Sequence, residues 1–268
     1  MLLRIASAVV LVPAVIAVVV YASPVWFFLA LGIVGSLCLY EYLGLVRLMG
    51  LHSQSWYGYA AFWILLAGFR QTWIPLTAVL SVVLLVGFLA AIWRRDALRD
   101  SVFGLMANLL GAFYLAVFLY PALPLRFDFG DRQGLHWFVV LLAVIWIGDT
   151  AALLVGRVMG RTPFAPLLSP KKTNEGAVGG LLAGVAAAVV LQHFLYTELP
   201  ILHVVVLSLI AGGFGQLGDL AESLLKRAAQ VKDSSHLIPG HGGVLDRVDS
   251  LLFAFPVSYI YLLRLYSS

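Results

Sequence analysis

Nine stretches of nearly uninterrupted apolar sequence run through this chain, at roughly 5–21, 25–46, 56–69, 74–93, 102–120, 135–155, 176–196, 201–222 and 248–266. A hydrocarbon layer about 30 Å thick is crossed by about 20 apolar residues in a helix, a length most of these stretches approach and the third falls short of. Backbone N–H and C=O groups find no partner in lipid, so each crossing must satisfy its own hydrogen bonds as a helix. No stretch shows the two-residue alternation of a membrane barrel. The expected fold class is therefore all-α: a polytopic integral membrane protein of about nine transmembrane helices. Of the 268 residues, 62% are hydrophobic and 11% charged, and the polar segments are too short to bury a core of their own. Residues 1–268 are thus read as a single integral membrane domain, with 1–130 as scaffold and 135–268 carrying the chemistry. Arg4 followed by an apolar run resembles a signal peptide, but the run is long for one and a second follows at once, so a retained helix is expected.

Nine crossings put the termini on opposite faces, and basic residues tell which face is cytoplasmic. Thirteen of the 17 Lys and Arg residues fall on the N-terminal side, among them Arg4, Arg47, Arg94, Arg95, Arg157 and the basic residues of two polar loops at 156–175 and 223–247. Arg70, Arg126, Arg132 and Arg264 fall on the other. The N-terminus is thereby expected in the cytoplasm. The net charge of +4 is a topology signal and implies no nucleic-acid partner. Cys38, the single cysteine, excludes an intrachain disulfide and reads as a small buried hydrophobe. Gly176, Gly180 and Gly184, and Gly32 with Ser36, form small-residue stripes that suit close helix packing within the chain or, alternatively, the interface of a homodimer. Pro13 and Pro256 lie inside apolar stretches and are expected to bend them.

Charge is scarce in this chain and gathers around the last two apolar stretches. Asp219, Ser223 and Lys226 are spaced by four and three, so a helix puts them on one face, with Glu222 adjoining. Asp246 and Asp249 share a face in the same way at the start of the final stretch. Asp149 sits within the sixth stretch with no partner close in sequence. Ionisable groups at such positions are costly and are kept for function. Carboxylates converging in a low-dielectric site repel unless a cation neutralises them. Oxygen-only ligands suit Mg²⁺, which completes its shell with water and phosphate oxygens. Asp219 and Asp246 are the expected metal ligands, with Asp149 and Asp249 as further candidates and room for a second cation. His236 and His241 lack thiolate partners and do not suggest zinc. Between the acids, Gly240, Gly242 and Gly243 would let backbone N–H groups approach a polyphosphate, and the helix start beyond them offers its positive end.

Ser223, Lys226, Arg227, Lys232, Asp233, Pro239, His241, Gly242, Gly243, Asp246, Arg247 and Asp249 stand at the spacing of a long signature, and residues 169–176 read Ser-Pro-Lys-Lys-Thr-Asn-Glu-Gly. In both segments and their order the chain resembles the phosphatidate cytidylyltransferase family. The resemblance covers 149–256 well and the first 130 residues only as generic membrane spans. It departs at Asp149-Thr-Ala-Ala-Leu153, where the family more often has glycine and an aromatic after the threonine. What it implies is transfer of a cytidylyl group from CTP to phosphatidate, with release of pyrophosphate, in the lipid bilayer of a bacterial inner membrane, the site facing the cytoplasm. Catalytic roles would fall to Asp219, Lys226, Asp246, Arg247 and Asp249. Substrate contacts would come from Lys171, Lys172, Thr173, Ser223, Arg227, Lys232, His241, Gly242 and Gly243. The attacking phosphate is already an anion, so no general base is assigned.

Two other readings share some of these features. An ion-coupled transporter would also hold intramembrane acids, but such charges sit near the midplane in paired repeats, whereas here they gather in two loops and no repeat is found. A CTP-dependent lipid kinase would use a similar site and move a γ-phosphoryl group instead.

Overall fold

In the computed structural model, described over residues 2–51, 54–71, 73–93, 97–195 and 200–267, each of the nine apolar stretches is a helix. They are α1 (Leu2–Tyr21), α2 (Pro24–Leu48), α3 (Ser55–Arg70), α4 (Leu76–Ile92), α5 (Leu98–Leu119), α7 (Asp131–Met159), α8 (Asn174–Leu195), α9 (Ile201–Ala228) and α10 (Leu245–Ser267). A short α6 (Ala122–Phe127) and a two-stranded antiparallel hairpin, β1 (Pro163–Ala165) and β2 (Ser169–Thr173), complete the described elements. Arg94, Arg95 and the side chain of Arg4, which enter the charge asymmetry, lie outside the described residues.

Among the described residues six helical segments are long and apolar enough to cross a membrane: Pro24–Leu48, Leu98–Phe127, Asp131–Met159, Asn174–Phe194, Ile201–Ala228 and Leu245–Ser267. The chain is an integral membrane protein. Val9–Tyr21 and Leu76–Ile92 are apolar but shorter, and α3 has 16 residues. At 1.5 Å per residue α3 spans about 24 Å, less than a full hydrocarbon layer.

By contacts the chain divides into two compact units. The first joins residues up to Val18 and 22–120 with the segment 225–247. Ser23 and Pro24 start α2, proline fitting the first helical turn where its missing N–H is no loss. The helix ends in a Schellman turn: Gly50 N–H donates to Arg47 O and Leu51 N–H to Val46 O. Helices α2, α3 and α5 enclose Cys38, Leu39, Phe62, Leu65, Leu66 and Leu115, all fully buried, and Cys38 is a free thiol as expected. Tyr57 of α3 donates its hydroxyl to Val83 O of α4 at 2.8 Å. The Gly32/Ser36 stripe is used inside this unit, since Trp63 Nε1–H donates to Ser36 Oγ and a Cβ on Gly32 would strike the Trp63 ring.

The second unit holds 19–21, 121–224 and 248–268. Arg126, only 5% exposed, donates from Nε to Val19 O at 2.8 Å and from a terminal nitrogen to Asp131 O at 3.2 Å, pinning α6 between the end of α1 and the start of α7. Apolar surface gains little by leaving lipid for protein, so membrane helices bind through close approach. Gly176, Gly180 and Gly184 of α8 provide it: a Cβ at each would lie 2.7, 2.7 and 3.1 Å from the carbonyl oxygens of Ala152, Gly148 and Val144 on α7. This stripe serves intramolecular packing.

The polar loop expected over 156–175 is mostly structured. Helix α7 runs on to Met159, and Pro163 pairs with Thr173 and Ala165 with Ser169 across the hairpin.

Candidate active site

Two polar clusters hold the residues singled out from the sequence, one in each unit. In the second unit, β2 delivers Lys172. Successive residues of a strand point to opposite faces, and Lys171 is exposed while Lys172 is half-buried and forms an ion pair with Asp219 of α9. Ser223, one turn on, donates its hydroxyl to the other Asp219 oxygen at 3.4 Å, so those two residues do share a helix face. On the neighbouring helix, Asp249 Oδ1 accepts Ser250 N–H at 2.7 Å, and the Ser250 hydroxyl reaches Asp149 of α7 at 3.5 Å. Asp149 thus finds its partner a hundred residues away. Helices α9 and α10 touch at Gly218, where a Cβ would stand 2.4 Å from the Asp249 carbonyl oxygen.

The hairpin that carries Lys172 is held at its base. Glu175, in the first turn of α8, accepts Arg161 N–H at 3.0 Å and the Thr162 hydroxyl at 2.9 Å, and Asn174 N–H donates to Thr162 O. Thr173, singled out as a phosphate contact, engages its hydroxyl as a helix cap, accepting Gly176 N–H at 3.1 Å.

The cluster of the first unit centres on Asp246. Lys226 Nζ donates to Asp246 Oδ1 at 2.6 Å, and both side chains are close to fully buried. Asp246 Oδ2 accepts Gly243 N–H at 2.8 Å, Ser234 N–H at 3.0 Å and the Ser234 hydroxyl at 2.8 Å. Four donors surround one carboxylate, and they tie the loop after α9 to the start of α10. The loop itself follows from its residues. Helix α9 stops in a second Schellman turn, Gln230 N–H to Arg227 O and Val231 N–H to Lys226 O, with Gln230 at φ 58° where glycine is usual. Further on, His241 N–H donates to Ile238 O across Pro239-Gly240, with Gly240 at φ 78°, as a type II turn requires. Arg247 Nε donates to His241 O at 3.1 Å and an Arg227 terminal nitrogen to Val231 O at 3.0 Å, while Lys232 is exposed.

Three features of this cluster are absent from the sequence reading. Glu41 of α2, 1% exposed, accepts the Ser235 hydroxyl at 2.6 Å, Val244 N–H at 2.8 Å and Leu245 N–H at 2.7 Å, and its Oε2 lies 3.1 Å from Ser234 Oγ, whose single proton is nearer Asp246. Ser234 and Ser235 are its partners. The third is the use of Gly243: its N–H is directed to Asp246, and a Cβ there would lie 2.0 Å from Ser234 Oγ and 2.6 Å from Glu41 Oε2. The glycine allows close approach of the Glu41 and Asp246 carboxylates. A lone acid in an apolar stretch was the signal for Glu41, since its burial must be offset by strong hydrogen bonds.

Among the described residues no three His, Cys, Asp or Glu side chains gather as a ready-made metal site. Mg²⁺ needs only one or two carboxylates, its shell being completed by water and substrate phosphates, so Asp219 with Ser223, and Asp249 and Asp149 at Ser250, have suitable hard-oxygen chemistry.

The sequence model of the cytidylyltransferase family matches residues 2–265. A phosphatidate cytidylyltransferase of Bacillus subtilis is 33% identical over 239 residues, 87% of this chain and 87% of the relative. Proteins of the same name from Staphylococcus saprophyticus and Staphylococcus haemolyticus are each 39% identical over 155 residues, 58% of this chain, and the match spans 60% of their own length.

Proposed function

The chain belongs to the cytidylyltransferase family, and from that premise we propose that it transfers a cytidylyl group from CTP to phosphatidate, giving CDP-diacylglycerol for phospholipid synthesis. A phosphate oxygen of the lipid attacks the α-phosphorus, the bond from that phosphorus to the bridging oxygen breaks, and pyrophosphate leaves with the electron pair. Because the attacking oxygen is already anionic, the protein has charge to balance rather than a proton to remove. The observation that carries this reading is the ion pair of Lys172 with Asp219, which joins the Ser169–Gly176 segment to the acid of α9 across 47 residues of sequence.

Both members of that pair are about a quarter to a third exposed, so each can exchange its partner. Lys172, with Lys171 beside it on the hairpin, then holds substrate phosphate. Asp219, with Asp249 and Asp149 as further candidates, would hold Mg²⁺, which would neutralise charge on the substrate phosphates. Arg227, Lys232, His241 and Arg247 contact the nucleotide. Lys226 and Asp246 keep the loop in shape around those contacts, as do Gly242 and Gly243. The nine helices cross the inner membrane with the N-terminus and both motifs on the cytoplasmic side, in accord with the basic-residue asymmetry.

The test uses the purified full-length chain with phosphatidate, Mg²⁺ and CTP labelled either in the cytidine or in the γ-phosphate. Cytidine label in the lipid product, with unlabelled lipid in the γ-labelled reaction, is the expected outcome. Lipid carrying only the γ-phosphate would overturn the proposal in favour of a kinase.

A further inference from the structure

We infer that Glu41, on α2, is a positioning residue for the nucleotide loop and sets affinity for the triphosphate. The inference rests on the cytidylyl-transfer reading above for its substrate, and on geometry alone for its mechanism. Glu41 is buried among apolar residues of α2, yet both its oxygens are filled. Oε1 takes the Ser235 hydroxyl and Val244 N–H, and Oε2 takes Leu245 N–H and lies 3.1 Å from Ser234 Oγ. Val244 and Leu245 N–H lie where α10 begins, among the donors that a helix cannot satisfy from within. The carboxylate therefore caps α10 from a residue 204 positions away in sequence while holding the two serines at the opposite end of the loop.

The loop is thereby gripped twice. Asp246 grips it from α10 through Gly243 and Ser234, and Glu41 grips it from α2. The Ser234 hydroxyl lies within hydrogen-bond distance of both, at 2.8 Å from Asp246 Oδ2 and 3.1 Å from Glu41 Oε2. Between the held residues at 234–235 and 243–245 run His236, the Pro239-Gly240 turn and His241, the part of the loop with groups to offer a polyphosphate. A loop fixed at both ends presents these groups without first having to be ordered by the ligand, so loss of one grip lowers affinity. Glutamine has the size of glutamate but an NH₂ in place of one oxygen, and that NH₂ would face N–H or O–H donors on either side.

Glu41→Gln in the full-length protein is expected to raise KM for CTP at least tenfold, to change KM for phosphatidate less than threefold, and to speed hydrogen exchange of the Val244 and Leu245 amides at least tenfold. A role in folding alone would instead raise both KM values together or lower only the active fraction. Either of those results, or an exchange rate within twofold of wild type, would overturn the inference. Should Glu41→Gln fail to fold, Ser235→Ala removes a single donor and is expected to shift the same two quantities about threefold; no shift in that variant would also overturn it. A wild-type chain that transfers no cytidylyl group would defeat the proposed activity, while the exchange measurement would still decide whether Glu41 holds the loop.

Discussion

Helix α9 contributes to two lysine–aspartate pairs that are alike in chemistry and unlike in setting. Lys172 and Asp219 keep 30% and 26% of their side-chain surface, and Asp219 receives one further hydrogen bond, a long one from Ser223. Lys226 and Asp246 keep 11% and 7%, and Asp246 receives three further donors from the loop. A partly exposed pair is worth at most about 1 kcal/mol, whereas removing one partner of a buried pair strands the other charge and costs about 3–5 kcal/mol. The first pair can be opened by a ligand at little cost. The second cannot, and acts as a fastening. Two acids that the sequence makes look equivalent as metal ligands therefore have different settings, Asp219 in a partly exposed pair and Asp246 in a buried one that fastens the loop after α9.

The sharpest way to break this comparison is to remove each charge in turn. Asp246→Asn should destabilise the protein by about 3–5 kcal/mol, because Lys226 keeps a buried charge without its partner. Thermal unfolding in detergent reads this, and a loss below about 1 kcal/mol would mean that Asp246 is not a fastening. Asp219→Asn should leave stability within about 1 kcal/mol of wild type but lower turnover at saturating Mg²⁺ about 100-fold or more, as expected for loss of a ligand to the cation that would balance developing charge. Equal stability losses in the two variants would erase the distinction between the pairs. Lys172→Ala should act more mildly, raising KM for CTP or phosphatidate about tenfold through the loss of one charge-assisted contact, with the remaining activity less sensitive to salt. The smallest effect should come from Gln230→Gly, where α9 turns toward the fastening: relief of a left-handed side chain should add about 0.5–1 kcal/mol of stability and leave KM unchanged.

The helices were legible because membrane solvent writes itself plainly into sequence, in apolar runs of the right length. Helix α6 was not, since Pro121, Pro124 and a buried Arg126 disguise six residues whose shape depends on Val19 and Asp131. The hairpin at 163–173 was read as loop because Pro163, Pro166 and Pro170 break its alternation. Asp219, Lys226 and Asp246 could be singled out from their spacing and setting, but their partners could not, because partnership depends on which strand or helix arrives from elsewhere. Lys172 looked like a phosphate ligand and Thr173 like its neighbour in that task; only the fold separates an ion pair from a helix cap. Glu41 was passed over because one acid in an apolar stretch has no pattern around it, although its cost of burial was itself a pattern.

The seam between α7 and α8 has a consequence for how this protein can vary. Where glycine Cα atoms lie against carbonyl oxygens, the limit on a residue is steric and falls at every fourth position. In a saturation library of α8, positions 176, 180 and 184 should stand out as a comb of near-total intolerance, alanine included. Val178, Leu182 and Val190, each more than half exposed, should accept almost any apolar residue. Drift along this helix would then be free in hydrophobic identity and frozen in spacing, so that distant relatives keep its rhythm after losing its letters.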